Sequence, residues 1–305
     1  MRRYLYFTVF ISGLCSLSLE MTGSRLLEST FGSSNLVWAA VIGLILIYLA
    51  VGYFLGGKWA DRSASHALFY RILIAAALSI AVIPLVAKPI LNLASRAFDQ
   101  LQFGVLGGAF AVVIVLMAVP VILLGTASPF AIRLAVRDSR TIGSVSGRIY
   151  AISTLGSFVG TFLPPLILIP LAGTSLTFLI ISAALLLTAI VGLMLTNFSV
   201  RSLPILLTPI FLLAAGFWLY NLPSRTTDGM IFETESAYNY IQVLEFNGYH
   251  LLRLNEGQGI HSIHHPTILR YTGPWDQVLA APFFNPAPVD PAGIQSMAII
   301  GLAAG

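Results

Sequence analysis

The residues best placed to do chemistry lie towards the two ends of this 305-residue chain. At the far end, SMAIIGLAAG (296–305) is a short apolar strand running into a glycine-punctuated turn. In a nucleotide-binding fold that order opens the cofactor site, because backbone without bulky side chains can approach the ligand closely. Near the start, Glu20 falls within or at the end of a long apolar run. An ionisable group there is a candidate intramembrane functional site. The alternatives are an interfacial residue after a crossing over 4–19, or a partner for an arginine of another helix. Arg25 does not face Glu20 on one helix, since five residues turn the chain by about 140°. Asp61 and Arg62 in LGGKWADR (55–62) are candidates for a contact between helices, or for a charged turn placed by topology. His261, His264 and His265 raise a metal reading, but H-x-x-H-H fits no standard structural zinc pattern and no cysteine accompanies it, so no metal is expected.

The elements that carry these residues are mostly apolar. The chain is 57% hydrophobic and only 9% charged, far below the roughly 25% charge of a soluble domain. That much apolar surface needs lipid rather than one oversized core. Seven apolar stretches approach the roughly 20 residues a bilayer core requires. They cover 4–27, 36–57, 68–93, 104–132, 146–170, 175–196 and 203–221. The opening MRRYLYFTVFISGLC has the look of a signal peptide, but no A-x-A-type site follows and it reads as a retained first span. Cys15 is the single cysteine, so no internal disulfide can form. Small residues at four-residue spacing, Gly52/Gly56, Gly104/Gly108, Gly143/Gly147 and Gly156/Gly160, offer flat stripes for close helix packing.

Charge sets the expected orientation. Residues 1–221 carry thirteen Lys/Arg against five Asp/Glu, whereas 222–305 carry three against seven. The basic residues cluster before the first span, after the second and between the fourth and fifth, which puts the N-terminus in the cytoplasm. Membrane topology accounts for them, so no nucleic-acid partner is inferred. Seven crossings would place the tail outside, and one span more or fewer reverses that.

From about 224 the pattern changes. MIFETES, YIQVLEF and YHLLRLN are short runs rich in β-branched, aromatic and leucine residues, with Asn247-Gly248 between the last two as a hairpin signal. QGIHSIHH adds a further strand, GPWDQVLAAPFF a short helix, and a Pro-rich connection leads to the terminal strand. The expected architecture is a membrane bundle over 1–222 followed by a domain over 223–305. That domain holds a small β-meander (hairpin region 229–265) and the first strand of an incomplete Rossmann-like α/β core (296–305).

Taken in order, these stretches resemble the membrane-fused spermidine synthase family, in which a transporter-like membrane domain precedes a polyamine aminopropyltransferase. ESAYNYIQVLEFNGYHLLRLNEGQG (235–259) is similar to that enzyme's N-terminal β-domain, GPWDQVLAAPFF (273–284) to the segment after it, and MAIIGLAAG (297–305) to its I-G-G-G-D-G cofactor turn. LEMTGSRLLESTFG (19–32) resembles the family's opening spans, and LGGKWADR also resembles a cytoplasmic loop of major facilitator transporters. The resemblance implies attack of a polyamine nitrogen, as in putrescine, on the methylene beside the sulfonium of decarboxylated S-adenosylmethionine. It assigns cofactor contacts to Gly301, Ala303, Gly305 and Asn239, and substrate contacts to Gln258 and Asp276. Ala303 replaces the family's middle glycine, Ala304 its aspartate, and Asn239 its glutamine. In the family the ribose-binding acid and the catalytic aspartate follow the glycine turn, so no catalytic residue is expected within this chain. It is expected to be a truncated frame or one member of a split pair whose other chain supplies the missing domain. The alternative is a transporter or interaction protein with a non-catalytic polyamine-binding tail. The expected location is the plasma membrane, multi-pass, with the side of the tail open because a cytosolic cofactor requires it inside.

Overall fold

The computed structural model describes residues 1–31, 35–101, 104–196, 207–221, 228–236, 238–255, 260–268 and shorter stretches beyond. They form two compact units. One comprises Met1–Ser224 with Glu235–Ala237, the other Arg225–Thr234 with Tyr238–Gly305.

The first unit is helical: α1 (Arg2–Phe31), α2 (Asn35–Arg62), α3 (His66–Leu101), α4 (Gly104–Gly125), α5 (Ala127–Ala135), α6 (Ile142–Leu163), α7 (Ile169–Thr196) and α8 (Thr208–Asn221). Among the described residues, five stretches are long and apolar enough to cross a bilayer, where the sequence pattern gives seven. Two causes account for the difference. Of the predicted seventh span, 203–221, the described part is α8, 14 residues, and 203–206 lie outside the described residues. The predicted fifth and sixth spans lie within one apolar stretch, Ser139–Thr196.

That long stretch changes direction inside. Gly173 has φ 76 and ψ 166, a conformation essentially confined to glycine. Contacts with α1 give the directions on either side. α6 runs parallel to α1, since Gly156 lies on the backbone of Phe10 and Gly160 on that of Leu14. α7 runs antiparallel to α1, since Tyr4 Oη donates to the Thr188 carbonyl at 2.7 Å and Cys15 Sγ to that of Ile181 at 3.6 Å. α7 is likewise antiparallel to α3, where Ser182 Oγ donates to the Ala77 carbonyl at 2.6 Å and Gly192 lies under the Tyr70 ring.

Glycine sets the closest approaches. A Cβ on Gly156 or Gly160 would collide with α1 backbone, and one on Gly52 or Gly56 with the backbone around Ile122, Gly125 and Thr126. By contrast, a Cβ on Gly143 or Gly147 meets nothing within 4 Å, so that predicted stripe packs against no described helix. The side chains of Phe69, Tyr70, Phe130 and Phe178 fill the core, while Leu46, Ile47, Phe54, Val115, Phe158 and Leu171 stand exposed on the outside. An apolar exterior of this kind fits a hydrocarbon environment rather than water.

One pair of prolines coincides with an irregular turn. Pro164 and Pro165 open a five-residue π-helical turn, Pro164–Leu168. Pro164 has no N–H to give the Gly160 carbonyl, which would be its helical acceptor. Ser18 Oγ supplies the missing hydrogen bond at 3.0 Å. Pro84 and Pro89 are held within α3 and Pro120 within α4.

The second unit holds a four-stranded sheet in the order β1-β2-β3-β4: β1 (Met230–Glu235), β2 (Tyr240–Phe246), β3 (Tyr249–Leu254) and β4 (Ile260–His264). β2 pairs antiparallel with β3 and β3 with β4, the latter with a register shift between Leu252 and Arg253. Asn247 and Gly248 both take positive φ, 50° and 82°, as the two central residues of a type I′ hairpin turn require. The expected meander and its hairpin are therefore present. GPWDQVLAAPFF contributes one helical turn, α9 (Pro274–Gln277). The expected Rossmann-like strand lies outside the described residues except for Ser296, which is in no strand.

Candidate functional site

Among the described residues α1 carries a row of buried polar side chains. Tyr4, Thr8, Ser12, Cys15, Ser18, Thr22 and Arg25 follow one another at three- or four-residue steps, the spacing of a single helix face. Thr8, Cys15, Ser18 and Thr22 have no exposed surface at all. An apolar helix would be expected to bury leucine along such a face. Here the hydroxyls bond backbone carbonyls: Thr8 to Tyr4, Thr22 to Ser18 one turn back, and Ser18 across to Gly160. Ser12 Oγ and Ser24 Oγ are buried with no hydrogen-bond partner among the described residues. Each such group costs about 1–3 kcal/mol.

Arg25 closes this face. Its side chain is 8% exposed; Nη1 stands 3.6 Å from Glu28 Oε2 and Nη2 donates to the Ser236 carbonyl at 3.2 Å. Close by in sequence to Ser236, Glu235 Oε2 accepts from the Thr174 backbone N–H at 3.0 Å and from Thr174 Oγ1 at 2.6 Å. The carboxylate thus caps the helix that restarts after Gly173, where unsatisfied N–H groups and the positive end of the helix dipole favour an anion.

Glu20, the carboxylate singled out from sequence, is half-buried on α1. It is Arg25, first set aside as facing away from Glu20, that is the most buried charge of this helix. The spacing of Ser, Thr and Cys residues along 8–25 was a readable signal for that buried polar face. Asp61 finds a partner in another helix: its Oδ1 lies 3.3 Å from Arg133 Nε, joining the ends of α2 and α5. Both side chains are more than half exposed, so the contact contributes about 0–1 kcal/mol.

In the second unit, polar groups converge at the start of β2. Asn255 Oδ1 accepts from the Tyr240 N–H at 3.0 Å, its own N–H reaches the Tyr240 carbonyl at 2.7 Å, and its Nδ2 donates to Asn239 Oδ1 at 3.1 Å. Asn239, the expected cofactor amide, is therefore held by a neighbouring asparagine whose positive φ of 59° turns it away from β3. Tyr240 and Gln242 are both 2% exposed. Tyr240 Oη donates to Glu233 Oε2 and accepts from Gln242 Nε2 at 3.1 Å. A buried Glu-Tyr-Gln chain of this kind fixes side-chain positions on one sheet face, because each member satisfies the next. Sequence reading treated these three as strand residues only; alternation along YIQVLEF places Tyr240 and Gln242 on one face but does not say that face is the buried one.

Asp276 lies half-buried in α9. Gln258, Gly301, Ala303 and Gly305, the expected hairpin glutamine and cofactor turn, fall outside the described residues. Among the described residues no three His, Cys, Asp or Glu side chains group closely enough to enclose a metal ion. The chain matches no family model, no curated protein and no solved structure.

Proposed function

We propose that this is a multi-pass membrane protein related to the membrane-fused spermidine synthases, in which an apolar helical bundle carries part of an aminopropyltransferase-like domain. The observation that supports this reading most is the order of parts. A bundle with an apolar exterior is followed by an antiparallel meander whose second and third strands and type I′ turn fall within 235–259, the segment that resembles the enzyme's β-domain. On this reading the substrate is a polyamine such as putrescine and the co-substrate decarboxylated S-adenosylmethionine. The amine nitrogen forms a bond to the methylene, the carbon–sulfur bond breaks, methylthioadenosine leaves and the nitrogen loses a proton to a base. Asn239, Gly301, Ala303 and Gly305 would face the co-substrate, and Gln258 and Asp276 the amine. The proton-accepting carboxylate would come from sequence beyond these residues or from a second chain.

The reading requires a cytoplasmic tail; with the N-terminus cytoplasmic, reversal at Gly173 returns the end of α7 to the side on which α1 begins. The plasma membrane is the proposed location. The test is purified protein, alone and with the product of any adjacent reading frame, incubated with decarboxylated S-adenosylmethionine and putrescine. Release of methylthioadenosine supports the reading. A reporter after Leu222 that appears outside the cell, together with no release under either condition, overturns it.

The buried polar face of α1 favours a second reading, a transporter with a polyamine-binding tail. Ser12 and Ser24 are hydroxyls inside the bundle without partners among the described residues, as a translocation path would present. Polyamine uptake into proteoliposomes without aminopropyl transfer would select it.

A further inference from the structure

One face of the sheet carries a row of groups that the proposed function does not use. Register pairs Glu245 of β2 with His250 of β3, and His250 with His264 of β4. Directly paired residues of antiparallel strands project to the same face, with Cβ atoms about 4.5–5.5 Å apart. The three side chains therefore form a line across three strands, and all are exposed. The two imidazoles stack, with ring centroids 6.0 Å apart and planes inclined by 22°.

We propose that His250 and His264 form a two-nitrogen chelate for a borderline divalent first-row ion, of the class Cu²⁺, Ni²⁺ or Zn²⁺. Imidazole nitrogen suits these ions, and affinity at such a donor set rises towards Cu²⁺. With metal–nitrogen bonds of about 2.0–2.1 Å, two nitrogens on one ion stand roughly 3–4 Å apart. Rings already stacked at 6.0 Å between centroids reach that separation by rotation about χ1 and χ2 of exposed side chains, without movement of the strands. Since among the described residues no third ligand is close enough to enclose the ion, water fills its remaining positions. Glu245, next in the row, supplies negative charge beside the cation.

The other histidines of this segment do not share the row. His265 lies on the opposite face, its ring 4.7 Å from that of Tyr249. Its Nδ1 accepts from the Thr267 and Ile268 N–H groups at 3.2 and 3.0 Å, so it is occupied with closing the turn after β4. His261 falls at the register shift between β3 and β4. The sequence spacing H-x-x-H-H hides the chelate, because one ligand belongs to that cluster and the other lies fourteen positions earlier, across the hairpin.

The test is a Cu²⁺ titration of the full-length protein in detergent, stripped of metal beforehand, followed by calorimetry and electron paramagnetic resonance. The expected result is one equivalent bound tightly with the signature of two nitrogen donors. His250→Ala and His264→Ala should each weaken that site about tenfold or more and leave a single histidine nitrogen, because a pre-positioned second ligand acts at high effective concentration. His261→Ala should leave the site unchanged. His264→Asn keeps a polar strand residue and distinguishes loss of a ligand from loss of the sheet, with circular dichroism as the folding check. Unchanged affinity and spectrum in a folded His250→Ala/His264→Asn double variant would overturn the proposal, as would loss of the site on substituting His261 alone.

Discussion

Replacing Gly173 by alanine adds one methyl group at the point where α6 and α7 change direction. The nearest atom to that methyl is Glu235 Oε1 at 3.8 Å, ordinary van der Waals contact, so no steric collision contributes. The entire cost is conformational. At φ 76 and ψ 166 an L-residue is held in a region that glycine alone occupies freely, which costs about 1–3 kcal/mol. For a unit of this size, that lowers the apparent melting temperature by roughly 2–12 °C. Alanine at Gly57, a helical site with open space around it, is the control and should be neutral or slightly stabilising. The assay is thermal unfolding of detergent-purified protein by loss of the monodisperse peak on size-exclusion chromatography. If Gly173→Ala matches the parent while Gly57→Ala also does, the backbone does not hold a positive φ there. The helix would then run on through 173, and the antiparallel placement of α6 and α7 would be wrong.

Four further outcomes follow from the packing. Gly156→Val drives a branched side chain into the Phe10 carbonyl and should cost about 3 kcal/mol or more, whereas Gly143→Ala should be tolerated; expression of folded protein separates them. Ser18→Ala removes the donor that Pro164 fails to provide to Gly160, leaving a buried carbonyl unpaired, and should lower stability by about 1–3 kcal/mol in the same melting assay. Tyr240→Phe takes the hydroxyl from the Glu233–Tyr240–Gln242 chain and should raise hydrogen-exchange rates along β2 by roughly a factor of ten, corresponding to about 1.4 kcal/mol. Asp61→Asn breaks an exposed ion pair with Arg133 and should change stability by less than about 1 kcal/mol.

Much of the bundle could be read from hydropathy, since a lipid-facing helix must hide its backbone and expose apolar side chains. The hairpin was legible for an equally local reason: Asn247-Gly248 prefers the positive φ that a type I′ turn demands. The reversal was legible as well, since the gap between the apolar stretches 146–170 and 175–196 contains Gly173, the non-helical residue at which the chain turns. Pattern alone could not pair Ser18 with Gly160. That contact joins residues 142 positions apart, and its need arises from a proline four residues beyond the acceptor. The role of Arg25 could not be read from one helix, since its hydrogen bond goes to Ser236, 211 positions away. The same difficulty hid the histidine row, whose geometry belongs to strand register rather than to spacing.

The parallel pairing of α1 with α6 also has a consequence for biosynthesis. Ser18 reaches the bilayer long before Gly160 has been translated, and at about 5–20 residues per second the interval of 142 residues lasts roughly 7–28 s. Throughout that interval the Ser18 hydroxyl lacks the carbonyl it bonds in the folded chain, and a ribosome stalled between these two helices would leave a fragment in which it never meets that acceptor.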